Sequence, residues 1–197
     1  MTINNFNRIA FSYDALTTIF FGKSLRRAQT HFFDKKDSNA TVLILGGGTG
    51  WIAVELLKVN PSVKITFVDA SEAMVNRARR KLRDTRVQII CGNENSIPSG
   101  PYKILITPFF LDLFPDSRLA EIIGKIEQHM EPQCLWLITD FVSLKWWHRV
   151  YLWTMYRFFK FVSAIEADRL PEWQQRLQQA NFTLQDWKAF YGGFILT

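Results

Sequence analysis

Thr41-Val-Leu-Ile-Leu-Gly-Gly-Gly-Thr-Gly-Trp-Ile-Ala-Val-Glu-Leu-Leu57 decides how the rest of this chain is read. Val42 to Leu45 is an apolar run of β-forming character that breaks into three glycines. Thr49 and Gly50 follow, and from Trp51 the apolar residues take helical spacing. Strand, glycine turn and helix in that order let a backbone approach a nucleotide-like ligand closely, with the helix N-terminus facing it. A turn that merely tolerates glycine would be a poor use of three in succession, because glycine loses the most freedom on folding.

Outward from this stretch, strand and helix patterns alternate. Strands are expected at Val42–Leu45, Val63–Val68, Val87–Cys91, Lys103–Thr107 and Cys134–Thr139, and they are continuous apolar runs rather than alternating ones. That pattern belongs to parallel strands covered on both faces. Helices are expected at Trp51–Val59, Glu72–Leu82, Leu119–Met130 and Pro171–Gln179, with Ser71 suited to cap the second. Two last strands, Phe182–Phe190 and Gly193–Leu196, would form an antiparallel hairpin around Tyr191-Gly192-Gly193. The expected fold is α/β: a doubly wound, mostly parallel seven-stranded sheet with a C-terminal antiparallel hairpin. Ahead of it, residues 1–40 read as helical, including Leu25–Phe33, and end in the charged loop Asp34 to Asn39.

A chain of 197 residues with 48% apolar content suits one domain with one substantial core. The charge of +6 leaves acidic ligands, membrane surfaces and nucleic acid open. The basic residues are scattered and no added RNA-binding module is visible, which ranks a nucleic-acid substrate low. Cys91 and Cys134, each at an expected strand end, read as reduced buried thiols. No uncharged apolar stretch reaches the roughly 18 residues of a membrane span, and Met1 to Arg8 lacks a signal-peptide layout. The expected location is the cytoplasm, soluble or peripheral to a membrane.

The glycines fall at Gly46, Gly48 and Gly50, with Trp51 where a dinucleotide fingerprint needs a small residue, so a nicotinamide-type dinucleotide is disfavoured. Asp69 lies about 20 residues further on, at the end of strand two, where a carboxylate can take both hydroxyls of a ribose. It could also cap the next helix. Strand three ends in Cys91-Gly92-Asn93-Glu94, whose polar side chains could meet an adenine rim. These edges all fall at the C-terminal side of the sheet, where open α/β folds bind ligands.

Val42-Leu-Ile-Leu-Gly-Gly-Gly-Thr-Gly-Trp51, Phe67-Val-Asp-Ala-Ser-Glu-Ala-Met74 and Cys91-Gly-Asn-Glu-Asn-Ser-Ile-Pro98 resemble the first three motifs of class I S-adenosylmethionine-dependent methyltransferases. Leu137-Ile-Thr-Asp-Phe141 is similar to the segment after strand five, and Phe6-Asn-Arg-Ile-Ala-Phe-Ser-Tyr-Asp14 to the opening of the ubiquinone/menaquinone-biosynthesis-like branch. The resemblance implies a single methyltransferase domain over 1–197, with 1–40 as a helical lid and 141–170 as a helical substrate cap. It implies S-adenosylmethionine as cofactor, with Gly46, Gly47 and Gly48 against its methionine part and ribose and Asp69 on the ribose hydroxyls. Ala70, Ser71 and Met74 would lie near ribose and adenine, Asn93 and Glu94 at the adenine edge, and Tyr13 in the lid. Two positions depart from the pattern: Ile44 stands where the family has an acidic residue, and Asn93 where it has Asp.

Methyl transfer from a sulfonium asks the protein mainly to align acceptor and methyl group and to exclude water. Metal ligation is not expected, since His31, His129 and His148 have no ligand spacing with Cys, Asp or Glu. His148 could serve as a base, or could be an interfacial histidine on an amphipathic helix. After strand four, Thr107, Phe109 and Phe110 are expected around the reaction pocket, with Trp147 and Tyr151 contributing from the cap. Asp112 could orient an acceptor or face solvent. Between 145 and 165, Lys145, Arg149, Arg157 and Lys160 share one helical side, and Trp147, Tyr151, Phe158, Phe161 and Ile165 the other. Such a helix could touch an anionic membrane or pack its aromatic side on the sheet. The expected function is methyl transfer to a small apolar or aromatic acceptor, with no specific nucleic-acid partner. A non-catalytic binding protein that keeps the fold is the alternative.

Overall fold

The computed structural model describes residues 22–34, 39–163 and 167–197, with side chains left aside from 158 to 163. Helix α1, Ser24–Thr30, precedes strand β1, Thr41–Leu45. Then come α2, Trp51–Val59; β2, Lys64–Asp69; α3, Glu72–Lys81; β3, Val87–Cys91; and β4, Tyr102–Pro108. After them run α4, Asp116–Glu127; β5, Met130–Phe141; α5, Trp146–Ser163; and α6, Trp173–Gln179. The chain ends in two short strands, β6, Ala189–Phe190, and β7, Ile195–Leu196. The expectations placed on residues 1–21, Tyr13 and the N-terminal half of the lid among them, and on the side chains of Phe158, Lys160, Phe161 and Ile165, lie outside what is described.

The sheet has seven strands in the order β3-β2-β1-β4-β5-β7-β6. β1 to β5 are parallel, while β7 runs antiparallel to β5 and to β6. Side chains alternate across a strand, so β1 feeds two cores. Val42 and Ile44 face a core with Ile52, Leu56, Phe67 and Ala78, from α2, β2 and α3. Leu43 and Leu45 face a second with Leu119, Ile122, Ile123 and Trp173, from α4 and α6. Burial on both faces explains why β1 is apolar from Val42 to Leu45. Leu25 and Ala28 of α1 and Leu152 and Tyr156 of α5 pack with Phe141, Phe194 and Ile195 in a third cluster.

Helix α3 begins as its sequence suggests. The Ser71 hydroxyl accepts the Met74 N–H at 3.3 Å, Glu72 sits in the first turn, and Arg79, Arg80 and Lys81 close the last. That order places each charge on the favourable end of the helix dipole.

Three expectations are corrected. The hairpin strand foreseen from Phe182 shrinks to Ala189–Phe190, because residues 183–188 are exposed and nothing covers Leu184 at 70% exposure. β5 starts at Met130 instead of Cys134, and its register against β4 shifts between Tyr102 and Ile104. That irregularity accommodates Pro132, which cannot donate to a ladder. Cys91 is exposed, since β3 is an edge strand, and Cys134 is half-buried; both thiols are free.

Candidate functional site

Strand order reverses between β1 and β4, which leaves a crevice at the C-terminal ends of the parallel strands. The glycine turn lies there. Gly46 N–H donates to the Val68 carbonyl at 2.9 Å and ties the turn to β2. A Cβ on Gly47 would fall 2.2 Å from the Phe67 ring, so only glycine fits above that side chain. Gly48 has φ +60°, a left-handed conformation, and a Cβ there would meet nothing within 4 Å. Its missing side chain leaves open space in the crevice.

Asp69, at the end of β2, holds this turn to the start of α3. Its Oδ2 accepts the Gly48 N–H at 2.8 Å and its Oδ1 the Ser71 N–H at 2.9 Å. Burial raises its pKa from 3.8 to about 6, although both N–H groups pull it back down. Each carboxylate oxygen has a second lone pair, so two hydroxyls of one ligand can still be accepted. The Asp69 carbonyl takes the Gly92 N–H at 3.0 Å and draws the end of β3 alongside. Asn93 Oδ1 accepts the Asn95 N–H, and buried Glu94 lies 3.6 Å from the Arg118 guanidinium.

A cavity of about 210 Å³ opens between these groups and the segment after β4. Gly46, Gly47, Gly48, Asp69, Ala70 and Ser71 line it, as do Met74, Asn93 and Glu94. Phe109, Phe110 and Asp112 line its other side, so residues spread over 67 positions of sequence meet around one space. Phe109 reaches in on a strained backbone, φ +51°.

Other expected residues stand apart from the cavity. Thr107 is fully buried and its hydroxyl accepts the Trp136 indole N–H at 2.9 Å. Trp147 and Tyr151 pack instead on Phe194, in the cluster beneath the C-terminal hairpin. His148 is not interfacial: it is fully buried, and its Nδ1 accepts the Leu144 and Lys145 N–H groups at the start of α5. Burial and then Lys145 lower its pKa, which favours the neutral ring. Ile44 is fully buried beneath the turn, so the carboxylate missing from this position is replaced by core packing.

The sequence did not reveal several cavity residues. Arg26 and Gln29 of α1 and Met155 and Tyr156 of α5 all line the space. The Arg26 guanidinium sits 4.9 Å from the Trp51 ring centroid, at cation–π distance. Their presence follows from how α1 and α5 dock, which no local pattern records. Asp112 does not face solvent; it is 4% exposed, and Asp140 of β5 is fully buried beside it. Asp140 Oδ2 accepts the Leu111 and Asp112 N–H groups at 3.0 and 3.3 Å, and its Oδ1 the Phe141 N–H at 2.9 Å. The Asp112 Oδ1 atom is buried with no hydrogen-bond partner among the described residues.

The fold is α/β and Rossmann-like, and known methyltransferases share it. Residues 42–133 match the family described as "Methyltransferase domain". A malonyl-[acyl-carrier protein] O-methyltransferase of Priestia megaterium is 28% identical over 140 residues, 69% of this chain and 49% of that protein. The protein of the same name from Bacillus cytotoxicus is 27% identical over 69% of this chain and 48% of its own length. The chain thus spans about half the length of the curated relatives it matches. Among solved structures, the DhpI–SAH complex superposes with a TM-score of 0.61 at 20% identity, over 70% of this chain and 66% of that one. Mitomycin 7-O-methyltransferase MmcR gives 0.69 at 15% identity, over 98% of this chain and 59% of that one. The family match covers a little under half of the chain, and the solved structures show that the chain shares the Rossmann-like fold of S-adenosylmethionine-dependent methyltransferases. The residues present fit the family's cofactor, S-adenosylmethionine, because Gly48 leaves open space beside a carboxylate with lone pairs to spare.

Proposed function

We propose that this chain transfers a methyl group from S-adenosylmethionine to a small acceptor of apolar or aromatic character. The observation that carries this reading is the composition of the single cavity described above. One side offers Gly48, Asp69 and Met74, and the other offers Phe109, Phe110, Leu113 and Phe141. Asp69 would hold the ribose hydroxyls, Gly46 to Gly48 the methionine end, and Ala70, Ser71, Met74, Asn93 and Glu94 the ribose and adenine. The bound cofactor would supply an electrophilic methyl group. The protein's own part is to align an acceptor among the phenylalanines and keep water out. Titration calorimetry with S-adenosylhomocysteine tests the reading: saturable binding that Asp69→Ala abolishes is expected. Absence of binding by the wild type would overturn it. Binding without transfer of labelled methyl to any metabolite or lipid-extract pool would favour the non-catalytic alternative.

A second proposal concerns where the acceptor comes from. Trp146, Val150 and Trp153 are 78%, 56% and 61% exposed on the outer side of α5, and Lys145, Arg149 and Arg157 are exposed around them. Arg157 lies over the Trp153 ring at 5.1 Å. We infer that this side rests on an anionic membrane surface while Met155 and Tyr156 face the cavity. Among the described residues no helix is long and apolar enough to cross a membrane. Co-sedimentation with phosphatidylglycerol vesicles should fall when Trp146 and Trp153 are changed to Ser; a wild type that never pellets would sink the idea.

A further inference from the structure

Two carboxyl groups lie side by side at the edge of the cavity, and Asp112 lines it. Asp112 comes from the turn after β4 and Asp140 from the end of β5, 28 residues apart in the chain but adjacent because β4 and β5 are parallel neighbours. The two carboxyls are buried side by side, and Asp140 Oδ2 accepts the Asp112 N–H at 3.3 Å. Two carboxylates buried next to each other away from water do not both ionise, so the pair keeps a proton. Asp140 is held from three sides by backbone N–H groups, so its orientation is fixed. Asp112 is the member of the pair that lines the cavity, and its Oδ1 has no hydrogen-bond partner among the described residues. The Tyr156 hydroxyl donates to the Asp112 carbonyl at 3.1 Å and anchors the same turn to α5.

From this geometry we infer that Asp112, backed by Asp140, is the proton acceptor of the site and selects a neutral hydroxyl-bearing acceptor over an anionic one. The inference rests on the methyltransferase reading for its chemistry, though not for the state of the carboxyl pair. An acceptor hydroxyl donates to Asp112 Oδ1, which supplies the missing partner. As the new C–O bond forms, the methyl C–S bond breaks and its electron pair stays on sulfur. The hydroxyl proton passes to Asp112, so the pair ends with two protons and no net charge. An acceptor that is itself a carboxylate gains nothing from this pair, since it brings a like charge against a buried anion and has no proton to give. That separates this chain from the relatives named for malonyl-[acyl-carrier protein], whose acceptor is named as a malonyl group.

Burial raises the Asp112 pKa to about 7 and raises that of Asp140 well above 3.8, with Asp112 adding to the latter. Among the described residues, the ionisable groups facing Asp112 are Asp140 on β5 and Tyr156 on α5, and no cation figures among the influences on either carboxyl. The Tyr156 phenol is held neutral, pushed up by burial and by both aspartates.

Carbon-13 NMR of aspartate-labelled protein without ligand tests the pair directly. One carboxyl should titrate near neutral pH in the wild type, and Asp140→Asn should move the remaining Asp112 signal by removing its partner. Ordinary carboxylate titration of both residues would overturn the inference whatever the cofactor does. Binding of phenol and benzoate to protein saturated with S-adenosylhomocysteine tests selectivity. Phenol should bind at least about tenfold more tightly, since a like-charge contact is strongly unfavourable, and Asp112→Asn should narrow the ratio to within about threefold. Equal binding by the wild type, or an unchanged ratio in the variant, would overturn the selectivity. Failure of S-adenosylhomocysteine to bind would instead count against the methyltransferase reading and leave the ligand-free titration to decide the carboxyl pair.

Discussion

Asp69→Asn removes a charge that the fold keeps at a cost. The carboxyl titrates at about 6 in the folded chain against 3.8 as a free group, because burial disfavours the anion. The folded state therefore binds this proton more tightly than the unfolded state. The group's contribution is fully present below about pH 4 and is lost as pH rises through about 6. A difference of about two pKa units corresponds to about 3 kcal/mol. Asparagine does not titrate, so the unfolding free energy of the variant relative to wild type should improve by about 3 kcal/mol between pH 4 and 7.5. The amide must also turn its NH₂ towards either the Gly48 or the Ser71 N–H, which loses one bond at about 1–3 kcal/mol. That loss is the same at every pH and shifts the whole curve without bending it. Urea unfolding followed by circular dichroism at half-unit pH steps would measure both parts. Parallel curves for variant and wild type would refute the reasoning, since they would show that Asp69 does not titrate across this window. The same variant should bind S-adenosylhomocysteine about 10- to 100-fold more weakly, as bonds to a charged acceptor are worth about 1.5–3 kcal/mol. A more stable protein at neutral pH that binds its cofactor less well is the trade expected of a functional site.

The glycine turn supplies two contrasting variants. Gly47→Ala should lower stability by about 1–3 kcal/mol in thermal or urea melts, because the Phe67 ring must move to admit the methyl group. Gly48→Ala should cost about 1–2 kcal/mol for its left-handed backbone, and it should weaken S-adenosylhomocysteine binding beyond what that loss explains, because the methyl group enters the cavity. Trp136→Phe leaves the buried Thr107 hydroxyl without its indole donor and should destabilise by about 1 kcal/mol. Cofactor affinity measured by calorimetry should stay at the wild-type value, since neither Trp136 nor Thr107 lines the cavity.

β1 and the inner parts of β2 and β4 could be read from the chain because segments buried on both faces must be largely apolar, and few other elements impose that on so short a run. The glycine turn and Asp69 could be read for a similar reason: Gly47 has no room for a side chain and Asp69 marks a strand end. The hairpin was overdrawn because Phe182 and Leu184 alternate like a strand, yet Leu184 finds no surface to pack on. The Asp112–Asp140 contact left no local trace. Its members sit on separate turns and become neighbours through strand order alone. His148 was misplaced for a related reason, since helical spacing located it on α5 but could not show that Phe194 would close over it.

The Asp69 carboxyl spans two amides, those of Gly48 and Ser71, that belong to different loops. Both protons therefore feel the charge of one group. In a nitrogen–proton correlation spectrum of the ligand-free protein, the two cross-peaks should drift together as pH passes through about 6, tracing a single ionisation from both ends. A ligand hydroxyl arriving at Asp69 would compete for the same oxygens and disturb both peaks at once, so this pair of amides is a built-in gauge of whether the carboxyl is charged, protonated or occupied.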